Sequence, residues 1–368
     1  MSDHATYMRE ALRLAAQGVG QTSPNPAVGA LLVRDGQVVG KGFHTWSGVD
    51  HAEILALREA GELARGATAY VTLEPCSHEG RTPPCTRALI EAGVAHVVCT
   101  VEDPNPLVSG KGFAALREAG ITVDLLPEFA DEASKINEAF FHFMRTGRPL
   151  VMLKSALTLD GKIAAPWDNS GWITSEHARA HVQELRHQFD AILTGIGTLL
   201  ADDCLLTDRS GLERPRPLLR IVVDSLLRTP VSSKMVRSCQ NDVLIATTSA
   251  ADPERKAILE KAGVQVIAFD GVRGRVSLRK LVAYLASQRY LSLMVEAGSK
   301  INWAALEEGI VDKLYFYYAP KILGGLQSLP VAGGIGKMSR AEAIVLKNVK
   351  IHPIPPEEFA VEAYVVKA

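Results

Sequence analysis

His51-Ala52-Glu53 and, further along, Glu74-Pro75-Cys76-Ser77-His78-Glu79-Gly80-Arg81-Thr82-Pro83-Pro84-Cys85 are the stretches from which both fold and chemistry are read. Each falls at a joint between strand-like and helix-like segments. The pattern predicts a helix from about Ala52, a strand over 69–73 and another helix from Cys85. Zn²⁺ prefers tetrahedral nitrogen and sulfur donors, and a catalytic site keeps three protein ligands with the fourth position left to water. His51, Cys76 and Cys85 supply three. Bound zinc lowers the pKa of that water to ~7. Attack on an amidine-like ring carbon then needs a proton shuttle, and Glu53, not itself a ligand, can provide it. Both cysteines precede predicted helical turns, where a helix N-terminus favours thiolate. A structural zinc would want a fourth protein ligand. His78 could be that ligand, but the Glu53 spacing would then have no explanation.

The alternation extends in both directions. Tyr7, Met8, Ala11, Leu12 and Ala15 repeat as one face of an amphipathic helix. Strand-like runs over 28–33 and 38–43 flank Asp35-Gly36, a hairpin signal. A strand over 95–101, a helix over 112–119, a strand over 121–125 and a helix over 127–145 follow. Thr146-Gly147-Arg148-Pro149 stops that helix with Gly and Pro in the usual order. A second series has strands at 150–157, 191–194, 219–224, 243–246, 264–269, 292–295 and 313–318, and antiparallel runs at 343–349 and 360–366. Strands alternating with helices predict α/β architecture in both halves, with a domain boundary after residue 147.

The His-x-Glu pair followed by Pro-Cys and a second Cys resembles the zinc cytidine-deaminase superfamily. Eight residues separate Cys76 from Cys85, where the common signature has two. With that insertion, and with Asn25 in Ser-Pro-Asn-Pro, His44 in Gly-Phe-His and Asp103-Pro-Asn105-Pro, the first half resembles the deaminase of riboflavin biosynthesis. The resemblance implies a three-layer cytidine-deaminase-like domain over 1–147. It also implies one Zn²⁺ on His51, Cys76 and Cys85, Glu53 as the general acid/base, and substrate contacts from Asn25, His44, Arg81, Asp103 and Asn105. Asn and Asp beside Pro are also turn formers in their own right.

Residues 148–368 hold no Gly-x-Gly-x-x-Gly fingerprint, so a Rossmann site is not supported; Thr194-Gly195-Ile196-Gly197-Thr198 comes nearest. Two other Gly-containing loops follow predicted strands, Glu296-Ala297-Gly298-Ser299 and Leu323-Gly324-Gly325, where backbone N–H groups could cradle a pyrophosphate. Lys154-Ser-Ala156, Ser170-Gly-Trp172, Thr198 to Asp202, Leu206 to Arg209, Asp224-Ser225 and Glu296-Ala-Gly298, in that order, resemble the riboflavin-pathway reductase, a dihydrofolate-reductase-like α/β fold. The resemblance implies NADPH as cofactor, lined by Ala156, Trp172, Thr198, Asp202, Ser225, Gly298 and Ser299. Substrate contacts would come from Lys154, Ser170, Arg186, Leu206, Arg209 and Glu296, the arginines meeting phosphate. Arg228 is a candidate partner for a cofactor 2′-phosphate. The chain departs from the family's common pattern at Gly171, Ala297, Cys204 and Asp208, the last placing a carboxylate beside Arg209. Over its full length the sequence resembles the bifunctional riboflavin-biosynthesis deaminase/reductases. Such an enzyme would deaminate 2,5-diamino-6-(5-phosphoribosylamino)pyrimidin-4-one and then reduce the ribosyl chain.

Composition sets the outer bounds. At roughly 150 residues per domain, 368 residues make about two domains. With 47% hydrophobic and 22% charged residues, the chain is neither disordered nor fibrous. No run approaches the ~18 apolar residues of a membrane helix. Met1-Ser2-Asp3-His4 does not open a signal peptide, so a cytoplasmic location and five reduced cysteines are expected. The net charge of −1 averages an acidic first half (12 basic and 18 acidic residues to position 147) and a basic second half (28 and 23). A nucleic-acid-editing deaminase with an accessory domain is the first alternative, and the acidic first half argues against it. A non-catalytic, metal-stabilised binding protein is the second. Small phosphorylated pyrimidines are the expected partners, with no nucleic acid and no membrane. A homo-oligomer is compatible with the sequence, but no strip of residues identifies an interface.

Overall fold

The Asp35-Gly36 turn folds as its sequence demands, with φ of 51° and 75° at the two central positions, the left-handed pair that a two-residue hairpin requires. It belongs to a computed structural model that describes residues 3–45, 50–77, 83–106, 108–167 and 170–367. The chain divides into two compact units, Met1–Gly147 with Glu213–Arg216, and Arg148–Leu212 with Pro217–Ala368.

The first unit runs α1 (Asp3–Gln17), β1 (Gly29–Arg34), β2 (Gln37–Phe43), α2 (Ala52–Ala60), β3 (Thr68–Val71), α3 (Cys85–Glu91), β4 (His96–Cys99), α4 (Lys111–Glu118), β5 (Thr122–Leu125), α5 (Ala130–Ile136) and α6 (Glu138–Thr146). Its sheet has the order β2-β1-β3-β4-β5. β1 is antiparallel to β2 and β3, whereas β3, β4 and β5 are parallel. Successive strand residues point to opposite faces, and both faces are apolar. Ala30, Leu32, Val71 and Val97 pack with Ala52 and Ala56 of α2, Leu89 of α3 and Leu116 of α4. Leu31, Val33, Tyr70 and Val98 pack with Met8, Ala11 and Leu12 of α1 and Ala133 of α5. Three layers result, as expected.

Two glycines of β2 set how closely α2 approaches. A Cβ on Gly40 would lie 2.2 Å from the Ala56 carbonyl oxygen, and one on Gly42 would lie 2.4 Å from that of Ala52. The helix predicted over 127–145 is instead broken at Asn137. This buried side chain accepts from Ala27 N at 2.7 Å and donates to Ala27 O at 2.9 Å. Pairing with a distant backbone pulls Asn137 out of helical geometry, to φ −108° and ψ 27°.

The second unit runs β6 (Leu150–Thr158), β7 (Lys162–Ala164), α7 (Glu176–His187), β8 (Ala191–Gly195), α8 (Ile196–Asp202), β9 (Leu219–Val223), α9 (Lys234–Arg237), β10 (Val243–Thr247), α10 (Pro253–Lys261), β11 (Gln265–Ala268), α11 (Leu278–Ser287), β12 (Ser292–Val295), α12 (Ser299–Glu307), β13 (Lys313–Ala319), β14 (Leu329–Pro330), β15 (Leu346–Ile354) and β16 (Glu358–Val365). Nine strands form one sheet in the order β11-β10-β9-β8-β12-β6-β13-β16-β15. The seven from β11 to β13 are parallel, and β16 runs antiparallel to its two neighbours, β13 and β15. Met152, Ile192, Val222, Ile245 and Met294 fill one face, while Leu153, Leu193, Ile221, Leu244 and Leu293 fill the other. The antiparallel pair expected at the C-terminus is present, but β15 begins three residues later than predicted and runs through polar Lys350 and His352. It is an edge strand with an exposed outer row, so backbone pairing to β16 rather than apolar pattern sets its length.

The connections leave β8 and β12 in opposite directions. After β8 and α8 the chain goes on to β9, and after β12 and α12 it passes to β13 on the far side of β6. In open parallel sheets ligands bind outside the carboxyl ends of strands at such a switch point.

Candidate active sites

His51 is the residue before α2, with extended backbone (φ −74°, ψ 162°), so its ring projects from the helix start. Glu53 lies in the first turn of α2 and is buried. Cys76 follows β3 in a loop, and Cys85 is the first residue of α3. His51 Nδ1 lies 3.2 Å from Cys85 Sγ and 3.6 Å from Cys76 Sγ. The ligand atoms of all three residues lie within 4.8 Å of one another. Tetrahedral zinc with bonds of ~2.0 Å to nitrogen and ~2.3 Å to sulfur sets nitrogen and sulfur ~3.6 Å apart. Donor set and spacing therefore fit zinc.

The local electrostatics favour metal on the same grounds. The hydrogen bond from the Cys85 thiol, with His51 and the Cys85 backbone N–H adding to it, pulls the Cys76 thiol down to about 4. That backbone N–H donates to Cys76 Sγ at 3.3 Å. Cys85 itself is pushed well above the ordinary thiol range by that same bond and by burial. One sulfur is therefore a ready thiolate, and the other loses its proton to a divalent cation. Burial raises the Glu53 carboxyl above its ordinary range, a shift that suits the predicted role of general acid/base.

Two of the predicted substrate residues gather beside this cluster. The His44 ring stands edge-on to that of His51, with centroids 5.1 Å apart. Its Nε2 lies 3.2 Å from Asn25 Nδ2 and its Nδ1 lies 3.1 Å from Asp50 O. Burial lowers the His44 pKa, and His51 adds to the effect. Asp103 accepts from Asn105 N at 2.8 Å, a turn bond. Arg81 and His78 lie outside the described residues.

Glu74 was not singled out from sequence, yet it shapes the loop that carries Cys76. Its buried carboxylate accepts backbone N–H bonds from Asp103 (3.1 Å), Gly110 (3.0 Å), Gly112 (2.8 Å) and Phe113 (3.3 Å). The start of α4 and the segment after β4 are thus tied to a residue two before a candidate ligand. The only sequence signal was an acidic residue ending an apolar strand.

In the second unit several of the predicted residues, among them Thr198, Ser225, Glu296, Gly298 and Ser299, lie just beyond the carboxyl ends of parallel strands. Gly298 and Thr198 meet across the β8–β12 switch point, where a Cβ on Gly298 would lie 3.3 Å from Thr198 Oγ1. Glu296 follows β12 and lies between two cations. Lys154 Nζ donates to Oε1 at 2.9 Å, while Arg186 Nε and Nη2 donate to Oε2 at 3.1 and 2.9 Å. Burial opposes ionisation of Glu296, but Lys154 and Arg186 outweigh it and hold the carboxyl at about 2. Arg186 is buried at 7% exposure, so it is no ordinary solvated helix charge. Ser170 and Trp172 line a pocket of about 300 Å³ with Thr158, Ile163, Lys321 and Leu323, beyond the ends of β6 and β13. Trp172 is exposed, and the Arg179 guanidinium lies 4.7 Å above its ring. Ala156 is half-buried on β6, Ser225 is the second residue after β9, and Asp202 ends α8 at the surface.

Other positions differ in how they can act. The Leu206 side chain is buried in the core, with backbone at φ 51°, so only its backbone can meet a ligand. The Ser299 hydroxyl donates to Pro330 O at 2.5 Å. Arg228 lies 3.5 Å from Asp224 and is otherwise exposed. The Gly324-Gly325 loop is no open phosphate cradle, because the Asp160 carboxylate already accepts from Leu323 N (3.2 Å) and Gly324 N (2.7 Å).

Comparison with known proteins accounts for both units. Residues 1–101 match the cytidine and deoxycytidylate deaminase zinc-binding region, and residues 149–357 match the RibD C-terminal domain. The riboflavin biosynthesis protein RibD of Actinobacillus pleuropneumoniae is 43% identical over 343 residues, 93% of this chain and 90% of the relative. The solved Acinetobacter baumannii RibD, form 1, superposes with a TM-score of 0.87 at 36% identity, covering 99% of both chains. The crystal structure of a diaminohydroxyphosphoribosylaminopyrimidine deaminase/5-amino-6-(5-phosphoribosylamino)uracil reductase from Thermotoga maritima gives 0.81 at 34%, again covering 99% of both. Neither a nucleic-acid-editing enzyme nor an inert metal protein is favoured by these matches. Donor spacing that fits zinc in one unit, a pocket at the strand ends of the other and full-length likeness to enzymes of both kinds have one source: the chain belongs to the RibD family of bifunctional riboflavin-biosynthesis deaminase/reductases.

Proposed function

We propose that residues 1–147 hydrolyse the 2-amino group of 2,5-diamino-6-(5-phosphoribosylamino)pyrimidin-4-one. Residues 148–368 then reduce the product's ribosyl chain, giving 5-amino-6-(5-phosphoribitylamino)uracil. The carrying observation is the convergence of His51, Cys76 and Cys85 next to buried Glu53. When bound, zinc acidifies a water so that it can attack the ring carbon near neutral pH. Glu53 takes a proton from that water and returns it to the departing amine, which leaves as ammonia. Asn25 and His44, joined at 3.2 Å, hold the pyrimidine, with Arg81, Asp103 and Asn105 completing its contacts.

In the reductase, NADPH supplies the hydride when it is bound. Thr198, Asp202, Ser225, Gly298 and Ser299 line its place at the strand ends, with Ala156 and Trp172 beside it. Lys154 and Arg186, fixed by Glu296, hold the sugar chain, and Ser170, Leu206 and Arg209 bind towards the phosphate. Positioning of the two reactants supplies much of the rate. Five cysteines without a disulfide support a reducing, cytoplasmic setting, and no helix among the described residues is long and apolar enough to cross a membrane.

One assay tests both halves. Zinc-loaded protein given the diaminopyrimidine should release ammonia without NADPH, then oxidise NADPH when it is added. Ammonia release without later NADPH oxidation would overturn the reductase assignment, and no ammonia from zinc-loaded protein would overturn the deaminase.

A further inference from the structure

Gln183, Arg186 and His187 are spaced i, i+3 and i+4 on the last turns of α7, and so share one face of that helix. Three consecutive residues of the segment between α8 and β9 are fastened to that face. Arg186 Nη1 donates to Thr207 O at 3.0 Å. His187 Nδ1–H donates to Asp208 Oδ2 at 2.9 Å, and Gln183 Oε1 accepts from Arg209 N at 3.0 Å. From the other side, buried Arg220 donates to Leu205 O at 3.1 Å. Asp203 and Leu206 sit at φ 43° and 51°, a left-handed path that non-glycine residues keep only where the surroundings impose it.

The outcome separates two neighbours of opposite charge. Asp208 is turned inward, its side chain 8% exposed against His187 at 4%, and its second oxygen accepts from Ser210 N at 2.9 Å. Arg209 is exposed, and its guanidinium makes no hydrogen bond or ion pair among the described residues. We propose that the buried His187–Asp208 pair is a positioning pair for Arg209. It withdraws the adjacent carboxylate, which would otherwise occupy the guanidinium fork, and so keeps the fork open for the substrate's phosphate. This rests on reading Arg209 as a phosphate ligand. Without the His187 donor, the Asp208 carboxylate loses a contact that holds it inward beside the one from Ser210 N, its burial costs more, and Arg209 is the adjacent cation in sequence.

The test measures reductase KM for the phosphorylated substrate and for NADPH separately, in the full-length protein. Arg209→Ala sets the scale and should raise substrate KM at least about tenfold. His187→Ala should raise substrate KM about tenfold while leaving NADPH KM within about twofold. His187→Asn, which keeps a donor near the position of Nδ1, should recover most of that loss. The deciding protein is His187→Ala with Asp208→Ala, in which no carboxylate remains to compete. Its substrate KM should return to within about threefold of Asp208→Ala alone. A double variant as poor as His187→Ala, or a parallel rise in both KM values, overturns the positioning role in favour of simple structural support. If His187→Ala does not fold, a tenfold substrate-specific defect in His187→Leu that Asp208→Ala relieves supports the pair, and an unrelieved one overturns it. Unchanged substrate KM in Arg209→Ala overturns the phosphate reading itself, a result distinct from failure of the pair.

Discussion

Replacing Glu296 by Gln removes the one carboxylate that two buried cations share. Lys154 and Arg186 side chains are 7% and 9% exposed, Glu296 is 20% exposed, and the closest contacts are 2.9 Å. The carboxyl is held at about 2 against an ordinary 4.5, although burial pushes the other way. That difference amounts to about 3 kcal/mol between its charged and neutral forms. The amide keeps the shape and can still accept, but it takes away the negative charge that Lys154 and Arg186 share. Glu296→Gln should therefore destabilise the reductase unit by about 3 kcal/mol, the lower end of what breaking a buried pair costs. The sign with pH follows from the lowered pKa. Stability from this carboxylate is complete above the unfolded value and is lost as pH falls towards about 2. Two units unfolding in one chain need not behave as two states, so hydrogen exchange at Leu293 and Met294 of β12 is the appropriate readout. Their protection should fall by about two orders of magnitude, and adding Lys154→Met should restore at least ~1 kcal/mol by removing one uncompensated charge. A loss below about 1 kcal/mol, or strictly additive effects of the two substitutions, would refute the shared-carboxylate account.

In the deaminase, Glu53→Gln should retain one zinc per chain while ammonia release falls about 10²- to 10⁴-fold; metal analysis beside the activity assay checks both. Cys85→Ser should lose the metal. In the native protein Cys85 is held protonated until metal arrives, so zinc uptake should release protons and affinity should rise from about pH 6 to about pH 8 in chelator competition. Gly29→Ala would place a Cβ 2.0 Å from the Ala11 carbonyl oxygen. It should push α1 off the sheet and destabilise the first unit by about 1–3 kcal/mol, as seen by chemical denaturation of the zinc-loaded chain.

The metal centre was legible because zinc restricts both residue type and placement. His51, Cys76 and Cys85 each sit at a strand–helix joint that hydrophobic periodicity also marks. Lys154 was marked by the family resemblance, and its place in an apolar strand means that its amine needs a partner. Which partner was not legible, because Glu296 lies 142 residues away and only the sheet order β12-β6 brings it near. Asn137 shows the same limit. Its neighbours favour one continuous helix, and the Ala27 backbone that breaks it is 110 residues distant. Glu74 could be seen in the sequence but not understood from it. Its role depends on four backbone amides from two segments converging on one carboxylate, and side-chain type carries no record of that.

Asp208 shows where adjacency in sequence misleads. Read along the chain, it sits beside Arg209 and looks like a competitor for that cation. Because α7 fastens residues 207, 208 and 209 in turn, the two side chains leave the segment on different sides. Arg186 then links two functions through one guanidinium: two of its nitrogens meet Glu296 and the third holds Thr207 O. A lysine, offering a single point of charge, could satisfy one of these partners but not both with fixed geometry. The carboxylate that steadies Lys154 and the segment that carries Arg209 therefore have a common support in Arg186.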